Sequence, residues 1–208
     1  MSNTAEYVPT VGEGVLQAVR GELAKKEQVQ KKHYFMLNEL QKMARELPMQ
    51  YQQRMPYDLL SSLANALLDG TVYEIVRSLK EVQQLEERNL FQQRMNIVNE
   101  HKAIKKDLQR KQKEALQHCQ MAKPHQLPYL QVQQERDFQT MEKKYEDELK
   151  RKDMKIILEL DQKVMDQQVT LEKSGVPGFF VTNKPTEIKL QMHLLEFINR
   201  MSVMSMPL

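Results

Sequence analysis

The sequence predicts an all-α protein: a long antiparallel helical hairpin, coiled-coil-like, with shorter N-terminal helices and a C-terminal helix packed at its base. Three observations predict it. No glycine occurs between Gly70 and Gly175. The common residues are Gln, Lys, Arg, Glu, Leu and Met, whose unbranched stems lose little rotamer freedom in a helix. Apolar residues recur at helical intervals over most of the 208-residue chain.

Residues 1–14 are polar, with Pro9, Gly12 and Gly14, and read as a disordered tail because they bury too little to offset their conformational entropy. Residues 15–70 read as N-terminal helices. The first runs from Val15 to Leu47, and Leu37, Leu40, Ala44 and Leu47 keep the 3-4-3 spacing of a narrow seam. Pro48 ends it, since the residue before a proline is pushed out of the helical region. A second helix, from about Pro56 to Leu68, is apolar over much of its circumference (Leu59, Leu60, Leu63, Ala64, Ala66, Leu67, Leu68), as expected of a helix buried by several neighbours. Asp69 and Gly70 form a stop, after which Thr71 and Glu74 match a capping box for a new helix.

Residues 71–174 form the predicted hairpin. Its first arm runs from Val72 to about Met121, where Leu90, Ile97, Ile104 and Leu108 share one heptad frame. Arg94, His101 and Lys111 also fall on that seam. Ile75, Leu79, Val82 and Leu85 belong to an earlier frame, so the phase slips between Leu85 and Leu90. Pro124 and Pro128 place the turn at Lys123 to Pro128. The second arm, Tyr129 to Ser174, carries Tyr145, Leu149, Ile156, Leu160, Val164 and Leu171, with two pairs eleven residues apart. An 11-residue period predicts little left-handed supercoil.

Residues 175–187 are a Gly/Pro/Phe bend. Gly175 is placed at the position after the helix end, with Leu171 and Val176 in contact and Pro177 preventing continuation. Phe179, Phe180 and Val181 are expected to dock on the helices, because three large apolar side chains in water would form a sticky patch; the competing reading makes them a partner-binding site. Asn183 or Thr186 restarts a helix over 188–202 with the apolar face Ile188, Met192, Leu195 and Ile198. Residues 203–208 read as a frayed tail, with Met201, Met204 and Met206 at the fraying end.

The chemistry-bearing residues offer little to an enzyme. No nucleophile with a base, carboxylate pair or glycine-rich phosphate loop is present at a usable spacing, so no catalytic site, cofactor or metal is expected. His118, Cys119 and His125 are three potential zinc ligands, but their spacing fits no standard site and a fourth is missing. A formal charge of only +3 disfavours nucleic acid. The most basic segment, 101–113, contains Lys105, Lys106 and Arg110 around Ile104 and Leu108, which reads as the solvated face of a helix or, alternatively, as a nucleic-acid or nuclear-import patch. A lone cysteine and the lack of a basic-then-apolar leader point to an intracellular setting, nucleus or cytoplasm. No apolar run reaches the ~20 residues of a membrane span.

Three phrases then carry a resemblance: RELPMQYQQRMPYDLLSSLANALLDGTVYEIV, LEERNLFQQRMNIVNEH and ILELDQKVMDQQVTLEKSGVPGFFVTNKPTEIKLQMHLLEFI. Over roughly residues 30 to 200 the chain resembles the gonadal family, which groups the fly Gonadal protein with the vertebrate DiGeorge syndrome critical-region homologues. The resemblance implies no enzymatic activity and no cofactor. It implies a nuclear association and a role in neural-crest development or the germline. An adhesion role based on laminin-like helices does not follow, since heptad helices resemble one another whatever they do. The expectation is therefore a non-enzymatic intracellular scaffold with protein partners of unknown identity and a possible homodimer.

Overall fold

The computed structural model describes residues 12–204, and all of the secondary structure there is helical. The six α-helices among the described residues are α1 (Glu13–Glu46), α2 (Met49–Gln52), α3 (Tyr57–Ala66), α4 (Thr71–Ala122), α5 (Leu127–Lys173) and α6 (Pro185–Val203). A 3-10 turn, Pro124–Gln126, precedes α5. The expected tail over residues 1–14 lies outside the described residues up to residue 11, and Glu13 and Gly14 already belong to α1. Residues 205–208, with Met206, also lie outside. The described residues divide into two compact units: 12–78 with 168–204, and 79–167.

In the first unit, α1, α3 and α6 share a core with the first turns of α4 and the end of α5. Leu40, Leu63, Leu67, Leu194 and Ile198 are wholly buried, joined by Phe197 and Leu171. The core-facing stripe of α1 is Met36, Leu37, Leu40, Met43 and Ala44, spaced to lie on one helix face. Pro48 ends α1 as expected, but four residues of helix follow and bury Tyr51, whose ring meets His193 edge-on at 4.9 Å. Lys32 Nζ donates to the Leu68 carbonyl at 2.6 Å, satisfying one acceptor in the turn that closes α3.

Several sequence expectations are corrected here. The buried face of α6 is Leu190, Gln191, Leu194, Phe197, Ile198 and Met201. Met192 is exposed, while Ile188 and Leu195 are half-buried. Met201 is in the core, and Arg200 beside it pairs with Glu46 at 3.2 Å, so α6 is anchored through that turn. Neither Asn183 nor Thr186 caps α6: Lys184 is the extended residue before it and Pro185 fills the first helical position, where its missing N–H does no harm. Thr71 does not cap α4 either. It is the first helical residue, and its backbone N–H donates to Asp69 Oδ1 at 2.9 Å. The capping oxygen thus comes from the aspartate before Gly70, which sits at φ +85° where a side chain would be strained.

In the second unit α4 and α5 run antiparallel in a single register. Gln83 meets Gln167, Gln93 meets Lys152, Arg94 meets Asp153, Lys105 meets Glu142, and Gln112 meets Gln134. From Gln83 to Gln112 on α4 the partner on α5 moves back from Gln167 to Gln134. Among the half-buried or buried positions of α4, those at 79, 83, 86, 90, 94, 97, 101, 105, 108 and 112 form a 4-3-4 pattern that repeats every eleven residues, with 93, 95, 98 and 107 flanking it and 116 and 119 beyond it. Positions 134, 138, 141, 145, 149, 152, 156 and 160 of α5 keep the same period. The expected phase slip is therefore absent: Val82, Leu85 and Ile104 are exposed, and Lys105 takes the inward position expected of Ile104. At 3.67 residues per turn such helices stay in contact with almost no supercoil. Lys123 breaks the helix, and Pro124 opens the 3-10 turn. Pro128 does not break the chain, because it lies in the first turn of α5 where a proline is tolerated.

Candidate partner-binding surface

The bend after α5 is held by backbone geometry before any side chain acts. Gly175 has φ +70° and donates to the Glu172 carbonyl at 2.9 Å, while Val176 donates to that of Leu171 at 3.0 Å. This pair of bonds closes the helix in a Schellman motif, with Val176 and Leu171 both buried. Gly178 follows at φ +86°. A Cβ built there would stand 2.6 Å from Leu194 Cδ1 and 3.2 Å from Leu59 Cδ1, so any other residue would have to displace the buried Leu194 side chain as well as adopt a left-handed conformation.

From Gly178 the chain runs extended, and consecutive side chains point to opposite sides. Phe179 is buried at 6% exposure, whereas Phe180 and Val181 are 41% and 45% exposed. Docking of all three residues is thus corrected: only Phe179 enters the core. Two buried glutamines fix the outward pair. Gln191 Nε2 donates to the Phe180 carbonyl at 2.8 Å, and the Thr182 N–H donates to Gln168 Oε1 at 3.1 Å. Sequence reasoning missed both, because a glutamine on a helix reads as solvent-facing. The surviving signal is their position on the buried stripes of α5 and α6. Gln168 Nε2 and the Tyr73 hydroxyl are buried without hydrogen-bond partners, and burial raises the Tyr73 pKa above its ordinary value.

Of the other candidates, Leu195 lies half-buried on α6, while Glu74 in the first turn of α4 supplies a favourable charge at the helix N-terminus. His118, Cys119 and His125 do not form a ligand cluster, and no group of three or more metal-binding side chains converges among the described residues. The Cys119 thiol instead faces the Lys123 carbonyl at 3.4 Å.

The second unit has a seam in which polar contacts interrupt the half-buried apolar positions. Arg94 donates to both Asp153 oxygens, at 2.7 and 3.1 Å, and this bond holds the Asp153 carboxyl below its ordinary pKa. His101 stacks on Tyr145 with ring centroids 3.6 Å apart, and its Nε2 lies 3.4 Å from Glu148. Gln112 and Gln134 donate to each other's backbone carbonyls at 3.0 and 3.1 Å. Half of the lysines and arginines in the basic run 101–113 are engaged with carboxylates: Lys105 with Glu142 at 2.7 Å, Arg110 with Asp107 and Glu114, and Lys111 with Asp107. Lys105 also lies over the Phe138 ring. No described helix is long and apolar enough to cross a membrane.

Comparison with known proteins agrees with the phrases carried by this surface. The family model described as DiGeorge syndrome critical region 6 (DGCR6) protein matches residues 15–207. Protein DGCR6 of Gallus gallus is 49% identical over 172 residues, covering 83% of this chain and 84% of that protein. Gonadal protein gdl of Drosophila melanogaster is 41% identical over 176 residues, covering 85% and 82%. No solved structure matches. The chain belongs to the DGCR6 family.

Proposed function

We propose that this chain is a non-enzymatic interaction protein that offers Phe180 and Val181 to a protein partner. The observation that carries this reading is the pair of buried amides, Gln168 and Gln191, fixing the backbone beside two exposed apolar side chains. A flexible loop would lose side-chain and backbone entropy on binding, whereas a segment already clamped at both ends loses less. A nuclear or cytoplasmic scaffold with a developmental or germline role, as the family resemblance implies, belongs to the same proposal. The alternative, nucleic-acid association through 101–113, has less support, since Lys105, Arg110 and Lys111 already lie against acids.

The test compares wild type with the Phe180→Asp, Val181→Asp double variant by affinity purification and cross-linking from native cells. The expected result is loss of cross-links to 178–183 and at least a tenfold loss of the cross-linked partner, with the melting temperature unchanged. Retention of every partner by the double variant overturns the reading. Steeply salt-dependent binding to random duplex by the wild type would favour the alternative.

A further inference from the structure

Among the described residues, the first half of α1 has no neighbour. From Glu13 to Lys31 every residue is exposed, although the segment carries Val15, Leu16, Val19, Leu23 and Val29. At 1.5 Å per residue it extends about 28 Å. An isolated helix of this length is marginal in water, and Gly14 and Gly21 weaken it further. The face that buries Met36, Leu40 and Met43 continues back, at helical spacing, through Val29, Lys26, Glu22, Val19 and Val15. Where the buried part begins, Lys26, Val29 and His33 border an open groove whose other wall is Tyr57 and Leu68.

We propose that a second copy of this chain covers this face, with the two α1 helices antiparallel about a two-fold axis near residue 24. The sequence of the stripe is complementary to its own reverse. In that register Val19 lies opposite Val29 of the second copy, and Glu22 opposite Lys26 of the second copy, each contact occurring twice by symmetry. Glu27 comes within one residue of Arg20 of the second copy. No acid falls opposite an acid and no base opposite a base between residues 15 and 33. A parallel pair in register would instead set Glu22 against Glu22 and Lys26 against Lys26, like charges that destabilise it. Glu22 and Glu27 are paired only with Lys25 and Lys31 of their own helix, at 3.6 and 2.7 Å, and are well exposed, so both carboxylates can accept a second cation. This contact is separate from Phe180 and Val181, and either can fail without the other.

The experiment is sedimentation equilibrium of the full chain from about 1 to 100 μM, a range that resolves micromolar association. A reversible monomer–dimer equilibrium is expected. Val19→Asp and Val29→Asp should each weaken it at least tenfold without changing the melting temperature, because both residues are exposed in the monomer. Glu22→Lys should weaken it, and Glu22→Lys combined with Lys26→Glu should restore it. In a Cys119→Ser background, spin labels at position 25 should lie close across the dimer, while labels at position 15 should lie about 27 Å apart along the axis. A monomer across the whole range, a dimer indifferent to these substitutions, or position-15 labels in close contact would each overturn the proposal. So would a monomer whose α1 becomes immobilised only on vesicles of anionic lipid.

Discussion

The two units of this chain solve the same problem, holding helices together, with different shares of burial and polar contact. The unit formed by 12–78 and 168–204 contains every buried apolar side chain among the described residues except one, Leu90, which belongs to 79–167. The first unit is held by burial, roughly 25 cal/mol for each Å² of apolar surface removed from water. The second has a mixed seam, in which half-buried apolar residues such as Ile97, Leu108, Leu149 and Ile156 are interleaved with side chains reaching across: Arg94 to Asp153, Lys105 to Glu142, Gln112 to Gln134, and His101 stacked on Tyr145. Burial is strong and non-directional, whereas partly exposed ion pairs and amide bonds contribute little each but demand one geometry. The difference teaches that stability and register can be assigned to separate parts of one chain.

The largest effect that can break this comparison comes from the cores. Leu194→Ala is expected to destabilise the first unit by about 2 to 5 kcal/mol, the usual cost of a large-to-small change at a fully buried leucine. Leu90→Ala should act locally, seen in hydrogen exchange as loss of protection confined to 79–167. Were Leu90→Ala to lower the unfolding midpoint of the first unit as much as Leu194→Ala does, the contrast would fail. Next in size is Gly178→Ala, expected to destabilise by roughly 1 to 3 kcal/mol from the positive φ and the overlap with Leu194. An unfolding midpoint equal to wild type would show that the bend can relax.

The smallest effect sharpens the account of the seam. Arg94 holds the Asp153 carboxyl below its ordinary pKa, so its stabilising contribution is present above the unfolded carboxylate pKa near 4 and is lost as pH falls through the lower folded value. Protection of the amides around Arg94 and Asp153, corrected for intrinsic exchange rates, should decline on acidification below about pH 4. Asp153→Asn should show lower protection at neutral pH and a flatter acid response. An unchanged acid response in Asp153→Asn would place the titration elsewhere.

The sequence conveyed the helices more clearly than their faces. Gly175 and Pro124 were legible because a left-handed stop and a missing N–H have few other uses. The eleven-residue period of α5 was legible because Tyr145, Ile156, Leu160 and Leu171 are large and apolar. The matching period of α4 was not, since its inward positions include Arg94, His101, Lys105 and Gln112, which a hydrophobic pattern reads as solvent. The same blindness misassigned α6, where Gln191 is buried and Met192 exposed. Thr71 fitted a capping box, yet Asp69 reaches the same N–H from outside the helix, a choice that depends on the turn at Gly70. In the candidate surface, alternation along an extended chain sent Phe179 inward and Phe180 outward, a distinction that three adjacent apolar letters do not carry.

The shared eleven-residue repeat makes the paired region of α4 and α5 a ruler with fixed graduations. Three turns of helix return each face to the same orientation after eleven residues, so a segment of any other length inserted into one arm would rotate everything beyond it off the seam. An eleven-residue insertion in one arm alone would keep the faces aligned but leave its layers without partners opposite. Length can therefore change here only in matched elevens, one on each side of the turn at Lys123. Relatives of this chain that differ in the length of the paired region should differ by gaps that occur in pairs, equidistant from that turn.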